Sequence, residues 1–264
     1  FLRNAELESR PSRPSPRVKA PPVSQDPRPL VVIDPGHGGI DNGTKASTGE
    51  LEKTIVLDFA TMLRDKLAQA GKYRVAMTRS EDSFVPLTER VRFARAQKAA
   101  LFISIHADYL PKGEGEAQGA TVYTLSETAS DSEAARLAED ENKADVIAGV
   151  DLTAETNEIA DILIDLAQRE TKVFSTQFAR DLITELKAAT RLHKHPLKSA
   201  GFMVLKAPDV PSVLLELGYV STKDDLKQMM SQSWRERTST ALVRAIDAYF
   251  APRIAGTGAV RRSN

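Results

Sequence analysis

The alternation of apolar strands with amphipathic segments is the feature that most restricts the fold of this chain. Short apolar runs lie at LVVID (30–34), YRVAMT (73–78) and LFISI (101–105), and amphipathic stretches near 53–70 and 87–99 separate them. Strands that alternate with helices are typical of α/β proteins, in which parallel neighbours are joined by helical crossovers. We therefore predict an α/β fold, with a largely parallel, twisted sheet and helices on both faces.

Further elements extend this pattern along the chain. GATVYTL (119–125) and SVLLELG (212–218) are predicted to be strands. Helical patterns near 173–189 and 233–250 complete the layers.

Composition divides the chain into three parts. Residues 1–29 hold seven of the fourteen prolines, interleaved with Arg, Ser and Lys, a composition that favours extended or disordered chain. The whole chain has 264 residues and 41% apolar content, enough to bury a sizeable core. We expect a disordered linker over 1–29, one domain over 30–253 and a C-terminal tail over 254–264.

The global charge is balanced, with 36 basic and 36 acidic side chains, so nothing indicates binding to nucleic acid or an anionic membrane. The absence of cysteine excludes disulfides and thiol chemistry. No apolar run approaches 18 residues, so no membrane span is expected. No signal peptide is visible, and the start at Phe1 rather than Met suggests a trimmed chain.

One segment departs from this balance. Residues 126–172 hold thirteen acidic and only four basic side chains. We predict that this segment is an acidic insert, electrostatically distinct from the rest of the domain.

A glycine-rich turn, VVIDPGHGGIDNGT, follows the first strand and contains His37. Such a turn binds phosphate in some proteins, but GHGGIDNG matches neither GxGxxG nor GxxxxGK[ST]. The turn therefore favours another kind of ligand, above all a metal ion.

Polar side chains follow three predicted strands at the edge where parallel strands end. His37 follows LVVID, His106 follows LFISI, and Glu216 ends SVLL, while Glu52 opens the first predicted helix. Two imidazoles, one carboxylate and an open position make up a catalytic zinc site, and a further carboxylate is then needed as general base. Structural roles are the alternatives. Histidines at strand ends are often structural, and an acidic side chain at the start of a helix is stabilised by the helix dipole.

Five motifs resemble one known family. VIDPGHGGIDNG, GELEKTIVLDFA, TRSEDSFVPLTERV, LFISIHAD and PSVLLELGYVST, in this order, resemble the zinc-dependent N-acetylmuramoyl-L-alanine amidases. The resemblance covers about residues 30–250 and places the zinc site at the carboxyl ends of the strands.

The resemblance implies roles for individual residues. His37, Glu52 and His106 fall on the zinc ligands of the family, and Glu216 falls on its catalytic base. Asp108 and Tyr109 stand where Asn-Ala is more usual, which touches the surroundings of the ligands rather than the ligands themselves.

Three further residues are left with open roles. Asp34 is a candidate to support the metal ligands, although a strand-end turn residue is an equally good interpretation. His193 and His195 lie in RLHKHPLKSAG, which is predicted to be a loop before a strand at GFMVL. They are candidates for a second metal or for substrate contact, but exposed loop histidines are common, and we assign them no role.

The acidic insert also resembles a family feature. SDSEAARLAEDENKADVIAG is similar to the extra helix of the cell-division branch, in which a helix plugs the zinc cleft until an activator displaces it. Glu139 and Glu141 are both candidates for an inhibitory fourth ligand. The alternative interpretation is a solvated acidic helix.

Taken together, the resemblance implies a monomeric, periplasmic, autoinhibited amidase with one zinc ion. It would cut the bond between N-acetylmuramic acid and L-alanine in peptidoglycan during septal wall splitting, and a degenerate LytM-type protein would activate it. The alternatives are a zinc peptidase that acts on another amide, and a wall-binding module with a structural metal.

Overall fold

The computed structural model describes residues 26–109, 118–147, 149 and 161–260. The strands in these ranges are β1 (Leu30–Pro35), β2 (Arg74–Met77), β3 (Leu101–His106), β4 (Ala120–Leu125), β5 (Leu192–Ala200) and β6 (Ser212–Glu216). The helices are α1 (Glu52–Ala70), α2 (Leu87–Ala96), α3 (Ser132–Glu141), α4 (Ala144–Ile147), α5 (Asp161–Leu186), α6 (Lys223–Met229) and α7 (Gln232–Val260).

The six strands form one mixed sheet in the order β2-β1-β3-β6-β4-β5. β2, β1, β3 and β6 run parallel, whereas β4 is antiparallel to β6 and parallel to β5. β1, β3 and β6 are buried along their whole length, as their nearly continuous apolar sequences predict. The predicted α/β fold with a largely parallel sheet is confirmed.

A hydrophobic cluster packs against each face of the sheet. Alternate residues of β1 belong to different clusters, Val31 to one and Val32 to the other, because successive strand side chains point to opposite faces. Helices α1, α5 and α7 cover the first face, and α2, α3 and a short 3₁₀ turn cover the second. The prediction of helices on both faces is confirmed as well.

The segment that contains His193 and His195 was predicted wrongly. It forms strand β5 at the edge of the sheet, and Met203–Leu205, the predicted strand, form the 3₁₀ turn. The buried side chains of β5 include those of His193 and Lys198, so the strand shows no apolar alternation in the sequence. Pro196 is compatible with this strand because β5 lies at an edge.

The predicted segment boundaries also shift. The acidic insert contains α3, α4 and the start of α5, which begins at Asp161 rather than near residue 173. Helix α7 continues into the predicted tail, and residues 1–25 of the predicted linker lie outside the described residues. In the part of the chain that the structure describes, no helix is long and apolar enough to cross a membrane.

Helix α5 offers a test of the packing on the first face. Phe178 is fully buried and its ring contacts that of Tyr249 on α7, with centroids 5.3 Å apart. Phe178→Ala should lower the free energy of unfolding by about 3–5 kcal/mol, because it opens a cavity between the two helices. The exposed Val173 on the same helix supplies the matched control, and Val173→Ala should change that free energy by less than about 0.5 kcal/mol. Urea unfolding measures both, and equal losses would contradict the packing described.

Candidate metal centre

The sheet brings three predicted site residues together at the carboxyl ends of its parallel strands. β1, β3 and β6 are neighbours, and His106 at the end of β3 lies opposite Glu216 at the end of β6. His37 follows β1 in the glycine loop, and the chain then returns so that α1 begins at Glu52 beside the same edge. Residues that are far apart in the sequence therefore meet where the strands end.

Four side chains converge at this edge. His37, Glu52, His106 and Glu141 each offer a ligand atom, and these atoms all lie within 4.8 Å of one another. Glu52 Oε1 is 3.1 Å from His37 Nε2 and 3.4 Å from His106 Nδ1. Glu141 Oε2 is 3.1 Å from His106 Nδ1, and its Oε1 is 3.7 Å from His37 Nε2. All four residues are buried.

Neighbouring groups orient these ligand atoms. The Nδ1 atom of His37 lies 2.9 Å from Asp41 Oδ2, so its Nε2 atom faces the cluster. Glu52 accepts hydrogen bonds from the backbone N–H groups of Ala107 and Thr44, at 2.8 and 2.9 Å. His37 Nε2 and His106 Nδ1 are buried without a hydrogen-bond partner. Two such nitrogens aimed at one point, beside carboxylates, fit the donor set of a divalent metal.

The cluster also concentrates negative charge. Burial lowers the pKa of His37, but the carboxylates of Glu52 and Glu141 outweigh this effect and raise it to about 10. Burial, together with the charges of Glu52 and Glu141, raises the pKa of Asp108 to about 7. The pocket therefore stabilises positive charge at the point where the four side chains meet.

Two glycines leave room for the imidazoles. A Cβ atom on Gly36 would lie 2.4 Å from the His106 ring. At Gly43, where φ is +61°, a Cβ atom would lie 2.6 Å from the His37 ring and 2.7 Å from Glu52 Oε2. The loop is glycine-rich because its backbone packs directly against the candidate ligands.

Two buried arginines hold the glycine loop through its carbonyl oxygens. Arg90 donates to the carbonyls of Pro35 and His37, each at 2.8 Å, and pairs with Asp34 Oδ1 at 2.8 Å. Arg79 donates to the carbonyls of Pro35 and Gly36, at 3.0 and 2.7 Å. His37 has a φ of +58°, which is unusual for a residue other than glycine, so its backbone needs such support.

Glu216 lies beside the cluster and contributes no atom to it. It is fully buried, its Oε2 atom accepts a hydrogen bond from the Asp108 N–H at 3.0 Å, and its Oε1 atom has no hydrogen-bond partner. Burial raises the pKa of Glu216 well above its usual value. This is the environment of a carboxylate that can take up a proton.

Helix α3 brings Glu141 to the cluster. Asp131 caps its start by accepting a hydrogen bond from the Ala134 N–H, and Ala134, Leu137 and Ala138 pack on the sheet. Glu141 continues this buried face, whereas the Glu139 side chain is 70% exposed and pairs with Lys143. Of the two candidates from the sequence, the structure therefore places Glu141, and not Glu139, at the cluster.

Contacts after α3 hold the same segment against the sheet. Asn142 donates to the Gly201 carbonyl at 2.9 Å and accepts from the Met203 N–H at 2.8 Å. Asp145 on α4 accepts from the Leu87 N–H at 2.9 Å and so caps the start of α2. The segment is thus fixed on both sides of Glu141.

Some supporting residues were missed at the sequence level. Asp41 lies four residues after His37, and this spacing was the one signal available for it. Arg79 and Arg90 act on backbone carbonyls far along the chain, which no local pattern records. Asp34 supports the site through Arg90 rather than through a direct contact with an imidazole.

Comparisons with known proteins find similar sequences and similar folds. Residues 31–248 match the family described as N-acetylmuramoyl-L-alanine amidase. The amidase AmiA of Escherichia coli K12 is 36% identical over 222 residues, which cover 84% of this chain and 76% of AmiA. The amidase AmiC of Escherichia coli O6:H1 is 34% identical over 243 residues, which cover 88% of this chain but only 58% of AmiC.

Solved structures of similar proteins share the fold. The amidase AmiC2 of Nostoc punctiforme has a TM-score of 0.58 and 24% identity, and the match covers 84% of this chain and 97% of AmiC2. An N-acetylmuramoyl-L-alanine amidase from Clostridium difficile 630 has a TM-score of 0.59 and 22% identity, with coverage of 85% and 97%.

The support of the glycine loop can be tested through Arg90. Arg90→Met leaves the fully buried Asp34 without its cation and should lower the free energy of unfolding by about 3–5 kcal/mol. Arg92 on the same helix pairs with Glu89 at the surface, so Arg92→Met should cost about 1 kcal/mol or less. Urea denaturation compares the two variants. A loss that is no larger for Arg90→Met would show that Asp34 does not depend on this pair.

Proposed function

Because this chain belongs to the N-acetylmuramoyl-L-alanine amidase family, we propose that it is a zinc enzyme that cleaves the amide between N-acetylmuramic acid and L-alanine in peptidoglycan. The observation that carries this proposal is the pair of buried imidazole nitrogens that converge with the Glu52 carboxylate at the end of the parallel strands. The relatives are named as amidases of N-acetylmuramoyl-L-alanine, and we propose the periplasm as the location of this protein.

In this proposal His37 Nε2, Glu52 and His106 Nδ1 hold one zinc ion. Nitrogen and oxygen donors in this number are typical of catalytic zinc sites. Bound zinc would polarise the scissile carbonyl and make water more acidic, which a stable amide requires. Asp41 keeps the Nε2 atom of His37 directed at the site, and the Ala107 and Thr44 N–H groups fix the Glu52 carboxylate.

Glu216 is the proposed general base. Its free Oε1 atom would take the proton of the attacking water and pass it to the leaving amine. Its second oxygen is occupied by the Asp108 N–H, so only one oxygen is available for the proton. The Asp108 N–H thereby orients the base, although its side chain differs from the Asn that is usual in the family.

Helix α3 is proposed to inhibit the enzyme. Glu141 takes the fourth position around the ligand atoms, and hydrolysis needs that position open. The resting protein is then an equilibrium between a closed and an open state, and an activator shifts it by preferring the open state. A shift from about 1% to 99% open needs about 5.5 kcal/mol of such preference. We propose a degenerate LytM-type protein as activator and septal wall splitting as the process.

A second candidate function follows from the same four side chains. A zinc ion held by four protein ligands is typical of structural sites, so a wall-binding module with a structural metal is the alternative. A zinc peptidase that acts on another amide is a further alternative. Product analysis separates the three, because only the amidase releases peptides that begin with L-alanine from purified sacculi.

Substitutions at His106 and Glu216 should separate metal binding from catalysis. His106→Ala should lower the zinc content well below one ion per chain and abolish hydrolysis, because it removes a ligand. Glu216→Gln should abolish hydrolysis and keep the zinc content of the parent, because a general base is not a ligand. Zinc analysis of the purified variants measures the first effect. Release of peptides from sacculi measures the second, with each substitution placed in the Glu141→Gln variant so that hydrolysis does not depend on an activator. Loss of zinc in Glu216→Gln would make Glu216 a ligand and overturn the mechanism.

A substitution at Glu141 tests whether helix α3 inhibits hydrolysis. Glu141→Gln should raise hydrolysis in the absence of an activator by at least about tenfold, which corresponds to about 1.4 kcal/mol lost from the closed state. Glu139→Gln is the matched control on the same helix, and it should leave this activity within about twofold, since Glu139 pairs with Lys143 at the surface. A chelator should abolish the gain. Equal activity of the parent and Glu141→Gln would show that α3 does not inhibit.

A further inference from the structure

A second carboxylate of helix α3, that of Glu133, is surrounded by polar groups of the sheet at a distance from the metal cluster. Glu133 Oε2 lies 2.7 Å from the Lys198 ammonium, and Glu133 Oε1 accepts a hydrogen bond from the Tyr219 hydroxyl at 2.6 Å. The Lys198 side chain is 2% exposed, and Tyr219 is 1% exposed. A third neighbour, His193 Nε2, lies 3.8 Å from Glu133 Oε2. Three groups from the sheet side thus surround one carboxylate.

The cationic and hydroxyl groups of this site belong to the catalytic fold, whereas the carboxylates belong to the insert. Lys198 lies on β5, and Tyr219 lies three residues after Glu216. Both carboxylates recorded as ion partners of Lys198, those of Glu133 and Asp131, come from the start of α3. If the helix leaves the cleft, Lys198 and Tyr219 stay with the sheet and lose this anion.

The distance between Glu133 and Glu141 along α3 matches the length of a short extended peptide. Glu133 and Glu141 are eight residues apart on the helix, or about 12 Å along its axis. An extended peptide covers about 3.3–3.6 Å per residue, so about 12 Å corresponds to three or four residues. A peptide with its first amide at the metal would therefore bring its third or fourth residue to Lys198.

We propose that Lys198 and Tyr219 form a carboxylate-binding subsite for the peptide of the substrate, and that Glu133 fills this subsite while α3 covers the cleft. The inference rests on the proposed function, because it needs both an amide at the metal and a helix that leaves. An ammonium and a hydroxyl that converge on one carboxylate give charge-assisted hydrogen bonds, which discriminate against a neutral carboxamide. The helix then imitates the substrate at two points.

A simpler role would use the same contacts. Glu133 would only tie α3 to the sheet, and Lys198 would have no part in substrate binding. The two roles differ in the open protein: a tie acts only on the closed state, whereas a subsite acts on the substrate after the helix has left.

The experiment uses the full chain with Glu141→Gln as the open background, loaded with zinc. The two substrates are N-acetylmuramoyl tetrapeptides that begin with L-alanine and differ only at the C-terminus, a free carboxylate in one and a carboxamide in the other. We expect kcat/KM to favour the carboxylate by at least about tenfold, or about 1.4 kcal/mol, and the difference to lie in KM. Adding Lys198→Met should reduce this preference to within about twofold while hydrolysis of the carboxamide is retained.

Three further variants complete the design. Tyr219→Phe removes a single oxygen and should reduce the preference in part, so it tests the subsite even if Lys198→Met does not fold. Glu133→Gln should keep the full preference, because the subsite remains. Lys194→Met, an exposed lysine on the same strand, should also keep it.

The outcomes separate the two proposals. Hydrolysis of both tetrapeptides at equal rates in the Glu141→Gln background would overturn the subsite and leave the amidase function intact. A preference that survives both Lys198→Met and Tyr219→Phe would also overturn the subsite. The absence of any hydrolysis in zinc-loaded Glu141→Gln would instead overturn the proposed function, and the subsite with it.

Discussion

The buried ion pair between Asp34 and Arg90 is the interaction on which the site depends. Asp34 ends the apolar part of β1 and is fully buried, so its charge is tolerated only because Arg90, Thr78 and Ser104 donate hydrogen bonds to it. The same guanidinium group also donates hydrogen bonds to the carbonyls of Pro35 and His37. These bonds support the left-handed backbone of His37. A charge placed in the core of the sheet thus determines where the first imidazole points.

Two opposing electrostatic effects act in the candidate site. Carboxylates at the cluster favour bound positive charge, but each further carboxylate also repels the others in a buried space. Glu141 is tolerated because the imidazoles face it and because hydrogen bonds of Asn142 and Asp145 hold the residues that follow it. Helix α3 is therefore held against the site by several modest contacts, and none of these involves Glu52 or Glu216.

Much of this arrangement could be predicted from the sequence, and the reasons for the failures are physical. His37, His106 and Glu216 were identifiable because each stands at the end of an apolar strand, and parallel strands bring their ends together. Strand β5 was missed because its buried positions hold polar residues. The choice between Glu139 and Glu141 could not be made from the sequence. The two residues point about 200° apart on the helix, and only the packing of α3 decides which of them is buried.

The contacts that shape the candidate ligands are largely separate from those that hold helix α3. Arg79, Arg90 and Asp41 act within the sheet, the glycine loop and helices α1 and α2, and none of their partners described above lies on α3. One contact joins the two sets, since Asp145 caps α2, the helix that carries Arg90. Loss of that cap exposes a helix end to water, which can satisfy the Leu87 N–H. The ligand geometry can therefore persist without the contacts of α3, which the proposed inhibition requires.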